Sequence, residues 1–341
     1  MKKVFLTILQ YIIFLGLGIW LIYHMLHQLK EAGKLGDLIN AIESINLWYL
    51  IPIFIVGFCS HFFRALRWRL LLETIDAKPS VVNTTFAVLI GYIANLILPR
   101  AGEVAKCTVL ARYEKTPAHK MVGTIVAERA FDVLCLFIIT FFAFLLQANV
   151  IRSFAVVQYH NLRDLLSSHK YILLGMIVLG VAAIVALILV YRRHRENKIG
   201  LFIKELGHGI LSIFLMKKRW QFIGYTFLIW LMYTMQIYIG FFSLSGTSHL
   251  SILAALVVLV YGSVAVILTP GGIGAYTAFV AAILVYYSVD DVSAQAFGWI
   301  AWAVQTGIIC LLGMLSLILL PLYNRNKYAQ ITVDTKQDIQ S

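Results

Sequence analysis

Residues 81–103 read VVNTTFAVLIGYIANLILPRAGE, an apolar run that stops at Leu98-Pro99-Arg100-Ala101-Gly102-Glu103. Residues 250–274 read LSILAALVVLVYGSVAVILTPGGIG, a second run that stops at Thr269-Pro270-Gly271-Gly272-Ile273-Gly274. Clusters of Pro and Gly break a helix, and the backbone groups they free cannot face lipid. The apolar stretch 276–288 that follows the second break would rise only about 20 Å as a helix, short of a hydrocarbon core of about 30 Å. Both segments are therefore expected to turn back inside protein or against a polar cavity.

The rest of the chain makes the surroundings a membrane. Its 341 residues are 61% hydrophobic and 13% charged, with a mean hydropathy of +0.85. A soluble chain carries about 25% charged residues. The apolar residues fall in long runs at 4–26, 47–63, 81–98, 121–146, 171–191, 220–244, 250–269, 276–288 and 295–320. Long runs mean helices, not the alternating strands of a barrel. A soluble enzyme, a disordered chain and a disulfide scaffold are excluded. Cys59, Cys107, Cys135 and Cys310 have no paired spacing, so no disulfide framework is expected. No histidine or cysteine pattern suits a metal, and neither metal nor cofactor is expected. Lys2-Lys3 before the first run reads as the cytoplasmic flank of an uncleaved first span.

Basic residues set the orientation. If each broken segment is a hairpin that returns to its own side, 22 of the 28 Lys and Arg fall on one side and 5 on the other, with Arg129 inside a span. If segment 81–98 crossed once, the basic loop 192–219 would lie outside, against the positive-inside bias. The hairpin reading puts both termini in the cytoplasm and gives each half the order span, span, hairpin, span. The halves, about 1–150 and 168–320, match at a nearly constant offset and are inverted by their three full spans each. The expected fold is all-α: a polytopic helical membrane protein of two inverted repeats, each with a broken re-entrant hairpin. It is one transmembrane domain over 1–320 with a short polar cytoplasmic tail at 321–341. Matched breaks in inverted repeats point to a transporter site near the midplane.

Charges inside spans are costly, so they pair or face a cavity. Arg100, Glu103 and Lys106 lie in and after the first break. Arg100 and Lys106 are placed to receive a phosphate and Glu103 to neutralise one of them. Glu128, Arg129 and Asp132 open the fourth span, where spacings of three and four residues bring them to one helical face. Arg129 is expected near Glu103 or Asp132. Gly271, Gly272 and Gly274 offer backbone N–H groups at the start of the helix after the second break, an arrangement suited to an anion. Arg64 and Arg67, interleaved with aromatics at the end of the second span, are expected at the headgroup interface. No nucleophile–base arrangement or nucleotide loop is present, and nothing here is built for nucleic acid.

Arg64-x-x-Arg67-Trp68, Leu98-Pro99-Arg100-Ala101-Gly102-Glu103, Glu128-Arg129-x-x-Asp132 and Pro270-Gly271-Gly272-Ile273-Gly274, in that order and spacing, resemble the flippase-like membrane domain of lysylphosphatidylglycerol synthases. The resemblance covers about 5–320. It departs at Lys106, where the family often has Arg, and at Tyr276-Thr277, where it often has Glu. In bifunctional members this domain precedes a soluble aminoacyl-transferase. Here 21 residues follow Leu320, so that half is expected to be missing. The resemblance implies a lipid transporter of the cytoplasmic membrane, not an enzyme, that moves an anionic phospholipid or a polyprenyl phosphate. Two other readings stay open. One is a membrane-embedded aminoacyl or glycosyl transferase acting on a lipid-linked substrate. The other is a non-transporting subunit of an envelope complex. The partners expected are membrane lipids, with a second copy or a separate lipid-modifying enzyme left open.

Overall fold

The structure is a computed structural model. It describes residues 2–98, 101–114, 116–148, 150, 152, 156, 213 and 216–340. Among the described residues there are helices, turns and no strand. The helices are α1 (Lys2–Glu31), α2 (Leu35–Glu43), α3 (Leu50–Glu73), α4 (Val81–Ile97), α5 (Ala101–Glu114), α6 (Ala118–Leu146), α7 (Arg219–Phe241), α8 (Ile252–Leu268), α9 (Ala275–Leu284) and α10 (Asp291–Gln340). Four stretches are long and apolar enough to cross a membrane: Leu47–Glu73, Lys120–Leu146, Arg219–Phe241 and Asp291–Arg325. These match four of the six expected full spans. The first expected span lies within α1, and the span at 171–191 and most of loop 192–219 lie outside the described residues. The outer face of α6 exposes Phe137, Phe141, Phe142, Phe144 and Leu145. So large an unbroken apolar surface needs a lipid solvent. The protein is a multi-pass helical membrane protein.

Both expected breaks are present. Each separates two helices that pack on each other, α4 on α5 and α8 on α9. The elements recur 171 positions on. Ser80 caps α4 by accepting the Asn83 N–H, and Ser251 caps α8 by accepting the Ala254 N–H. Both helices have 17 residues and end in extended backbone, at Leu98 (φ −137°) and Thr269 (φ −128°). Packing recurs as well. The chain of contacts α3–α4, α4–α5, α5–α6 is repeated as α7–α8, α8–α9, α9–α10. Across the halves, α3 lies on α7, α4 on α10 and α8 on α6. One apolar core, with Trp68, Leu72, Val88, Leu110 and Met121, fills the first half, and a second, with Val258, Val280, Ile283 and Phe297, fills the other.

Small residues let the broken pairs close. A Cβ on Gly91 would stand 2.9 Å from the Gly102 carbonyl oxygen, and one on Gly262 would stand 2.6 Å from the Tyr276 ring. Asn95 accepts the Gly102 N–H at 2.8 Å, so a side chain of α4 caps α5 across the break. In the second break Gly271 has φ +64° and its carbonyl accepts the Trp302 indole N–H at 2.9 Å. Gly274 leaves no room for a side chain, because a Cβ there would lie 2.2 Å from the Gly18 carbonyl oxygen on α1. At the far end, α10 runs through Pro321, and buried Asn324 exchanges hydrogen bonds with Asn83 of α4 at 2.8 and 3.1 Å. The bundle thus extends into the segment expected to be tail, because this amide pair needs a partner more than it needs water.

Candidate functional site

The site is built on α6. Glu128 and Asp132, four residues apart, project from one helical face. Opposite them α3 carries Arg64 and Arg67, three residues apart and so also on one face. Arg64 Nη1 reaches Asp132 Oδ2 at 2.9 Å and Glu128 Oε1 at 3.3 Å. Arg67 reaches Asp132 Oδ1 at 2.7 Å and Glu128 Oε1 at 3.2 Å. Each guanidinium therefore spans both carboxylates, a geometry that its planar fork allows. Lys106 of α5 completes the cluster, with Nζ 2.8 Å from Glu128 Oε2 and 4.4 Å from the centre of the Trp68 ring. Trp68 is held in turn by its N–H to Thr124 Oγ1 at 3.0 Å. From α7, Tyr233 OH accepts from Arg64 at 3.0 Å and Thr226 Oγ1 from Arg67 at 3.3 Å. Glu128 and Arg67 are wholly buried. A charge buried this way is stable only with its partners in place; losing one costs about 3–5 kcal/mol.

Arg129 stands apart. Its side chain is 45% exposed and lies 3.8 Å from Glu103 and 3.9 Å from Asp132, too far for a hydrogen bond. Among the described residues of the site, four cations (Arg64, Arg67, Lys106, Arg129) face three carboxylates (Glu103, Glu128, Asp132). Arg64, Arg129 and Asp132 form the polar end of a cavity of about 470 Å³ between the halves. Tyr92 of α4 and Tyr233 flank them, and the walls beyond are mainly apolar. Ile267 of α8 lines the cavity and is 72% exposed, so the cavity is not sealed at this wall.

The structure brings Glu103, Lys106, Glu128, Arg129 and Asp132 together, with Arg129 near both Glu103 and Asp132. Arg64 and Arg67 differ from expectation. They are not exposed to the surroundings as anchors would be but buried at the centre of the ion cluster, because α7 covers the face of α3 that bears them. Arg100 lies outside the described residues. Gly271, Gly272 and Gly274 are not part of the cavity lining. Of the three, the Gly272 N–H closes the turn onto the Thr269 carbonyl at 3.0 Å. Sequence reading missed Tyr92, Tyr233, Gln236 and Gln305, all on the cavity wall. The two glutamines were detectable as lone amides in otherwise apolar spans. Among the described residues no group of His, Cys, Asp or Glu is placed to hold a metal ion, and none forms a separate catalytic domain.

A helical bundle with buried charges at the end of a largely apolar cavity defines a class of polytopic membrane protein. The chain belongs to the family described as lysylphosphatidylglycerol synthase TM region, whose model matches residues 7–313. It is 28% identical over 99 residues to a UPF0104 membrane protein of Methanothermobacter thermautotrophicus, a match that spans 28% of each chain. No solved structure matches it.

Proposed function

We propose that this protein carries a lipid with an anionic headgroup, a phospholipid or a polyprenyl phosphate, between the leaflets of the cytoplasmic membrane. The observation that supports this best is the surplus cation. Among the described residues of the site four cations meet three carboxylates, and Arg129, on the cavity wall, has only long ion pairs to Glu103 and Asp132, while Glu128 and Asp132 are held closely by Arg64, Arg67 and Lys106. The net positive charge left at the cavity end attracts an anion. The phosphate would lie against Arg129 and the exposed edge of Arg64. The tails would leave through the unsealed wall beside Ile267.

The domain carrying this activity is 1–320 together with the continuation of α10 to Asn324, with both termini cytoplasmic. The broken pairs α4–α5 and α8–α9 are read as hairpins entering from opposite faces, which makes the recurrence at 171 positions an inverted one. A phospholipid, a second copy or a separate lipid-modifying enzyme would each find this protein in the same bilayer.

The test is reconstitution of the full chain in phosphatidylcholine vesicles with a fluorescent anionic lipid, read by quenching from outside. Unsubstituted protein should equilibrate the label between leaflets, and Arg129→Gln should slow it at least tenfold while reaching the vesicles in equal amount. Equal rates would remove Arg129 from the site. Turnover of the headgroup without movement would make the protein an enzyme.

A further inference from the structure

Midway along the cavity, away from the ion cluster, Gln236 of α7 donates from Nε2 to Gln305 Oε1 of α10 at 2.8 Å. Both line the cavity, among Ile53, Ile237 and Val304. An amide has one acceptor and one two-proton donor group. Whichever way the two are turned, one carbonyl and one NH₂ of the pair have no protein partner among the described residues. These groups are not sealed in packed protein but face the cavity, where the hydroxyls of a ligand can meet them. The fold also reserves room for them: on α3, a Cβ at Gly57 would stand 3.0 Å from Gln236 Nε2.

The position is set by α7. Tyr233, bonded to Arg64, is three residues before Gln236, which puts the pair about 4.5 Å further along the helix axis. Asp132, the carboxylate on the cavity wall, is already held by Arg64 and Arg67.

We propose that the Gln236–Gln305 pair is a second, uncharged subsite, which receives the hydroxyl groups of a phosphodiester headgroup whose phosphate sits at Arg129. This rests on the reading of the cavity as a lipid headgroup site and narrows its ligand to a hydroxyl-bearing phospholipid or a sugar-bearing polyprenyl phosphate. An amide pair between spans otherwise serves only to hold helices together, and the test separates the two roles.

Purified full-length protein is titrated with four lipids: phosphatidylglycerol, phosphatidylmethanol (the same charge without hydroxyls), and a polyprenyl phosphate esterified either to a hexose or to methanol, again at equal charge. The unsubstituted protein should bind the hydroxylated member of at least one pair about tenfold more tightly, the effect of about 1.4 kcal/mol. The double variant Gln236→Met with Gln305→Met should erase that preference while phosphatidylmethanol and the polyprenyl methyl phosphate bind as before. Should the double variant not accumulate, Gln305→Met alone and Gly57→Ala, which crowds Gln236, should each reduce the preference. The pair with the larger preference identifies the lipid class. No preference in the unsubstituted protein, or an equal loss for both members of a pair, overturns the proposal and leaves the amides as helix contacts. Preference without movement between leaflets sinks the transport reading and keeps the subsite. Binding of none of the four lipids overturns both.

Discussion

Glu128 is reached by three cations, and the one with no access to water is Arg67. Arg67→Ala should therefore cost about 3–5 kcal/mol, by leaving Glu128 and Asp132 short of a partner. Arg69, whose Nε bonds the Pro79 carbonyl at 2.9 Å on a part-buried surface, should cost about 1 kcal/mol as Arg69→Ala. Protein level in the membrane and the thermal unfolding midpoint check both, and Asp132→Ala should recover part of the loss from Arg67→Ala. Arg129→Ala should lower stability by no more than about 1 kcal/mol, since its ion pairs are long and half-exposed. Its effect should fall on anion binding, measured by titration with phosphatidylglycerol. The carboxylates, Lys106 and Arg129 were legible in the sequence because charge inside an apolar span has few uses. The burial of Arg64 and Arg67 was not. Arginines among aromatics at a helix end look the same at an interface and in an ion cluster, and the difference lies in Thr226 and Tyr233 on a helix about 160 residues away.

At the scale of helices, the breaks themselves were readable from Pro and Gly, but the reason the flanking helices can touch was not. Gly91 and Gly262 are ordinary glycines in apolar runs until the facing Gly102 carbonyl and Tyr276 ring are known. Gly91→Ala and Gly262→Ala should each destabilise the protein by about 1–3 kcal/mol, because the added methyl must push backbone or a buried ring aside. Gly224→Ala on α7 meets nothing within 4 Å, so it should be neutral or stabilise by up to about 1 kcal/mol. Thermal unfolding of the three variants in one detergent makes the comparison. At the second break the sequence offers the N–H groups of three glycines, and it cannot tell that the one at Gly272 closes the turn onto Thr269. Their contacts with Gly18, Trp302 and neighbouring carbonyls make them pivots for packing.

For the whole molecule, the repeat was visible in the sequence as an offset, and the structure adds that caps, helix lengths and contacts recur at 171 positions. The orientation across the bilayer is tested by single cysteines in a chain freed of its four native ones. Lys34→Cys should react with an impermeant maleimide from outside, and Lys78→Cys only after the membrane is opened. The opposite pattern, or an outside location for loop 192–219, would end the inverted reading. The two seams between halves differ. On α4–α10, Gly313 comes so near Ile93 that a Cβ would lie 2.7 Å from the Ile93 Cβ. On α6–α8 the matching positions are Phe142 and Val264, both exposed. A disulfide formed by Ile93→Cys with Gly313→Cys should halt lipid movement until it is reduced, if the closed seam has to part in each cycle. If the protein carries lipid as proposed, phenylalanine in place of glycine would keep a mirror-image arrangement, with α6 shut on α8, from being as tight as the one seen here. The two arrangements would then have unequal lifetimes, and one leaflet would load the carrier faster than the other. Without a coupled energy source, microscopic reversibility would keep that inequality out of the final lipid ratio: the phenylalanine would set how quickly the leaflets come to equilibrium and leave the equilibrium itself untouched.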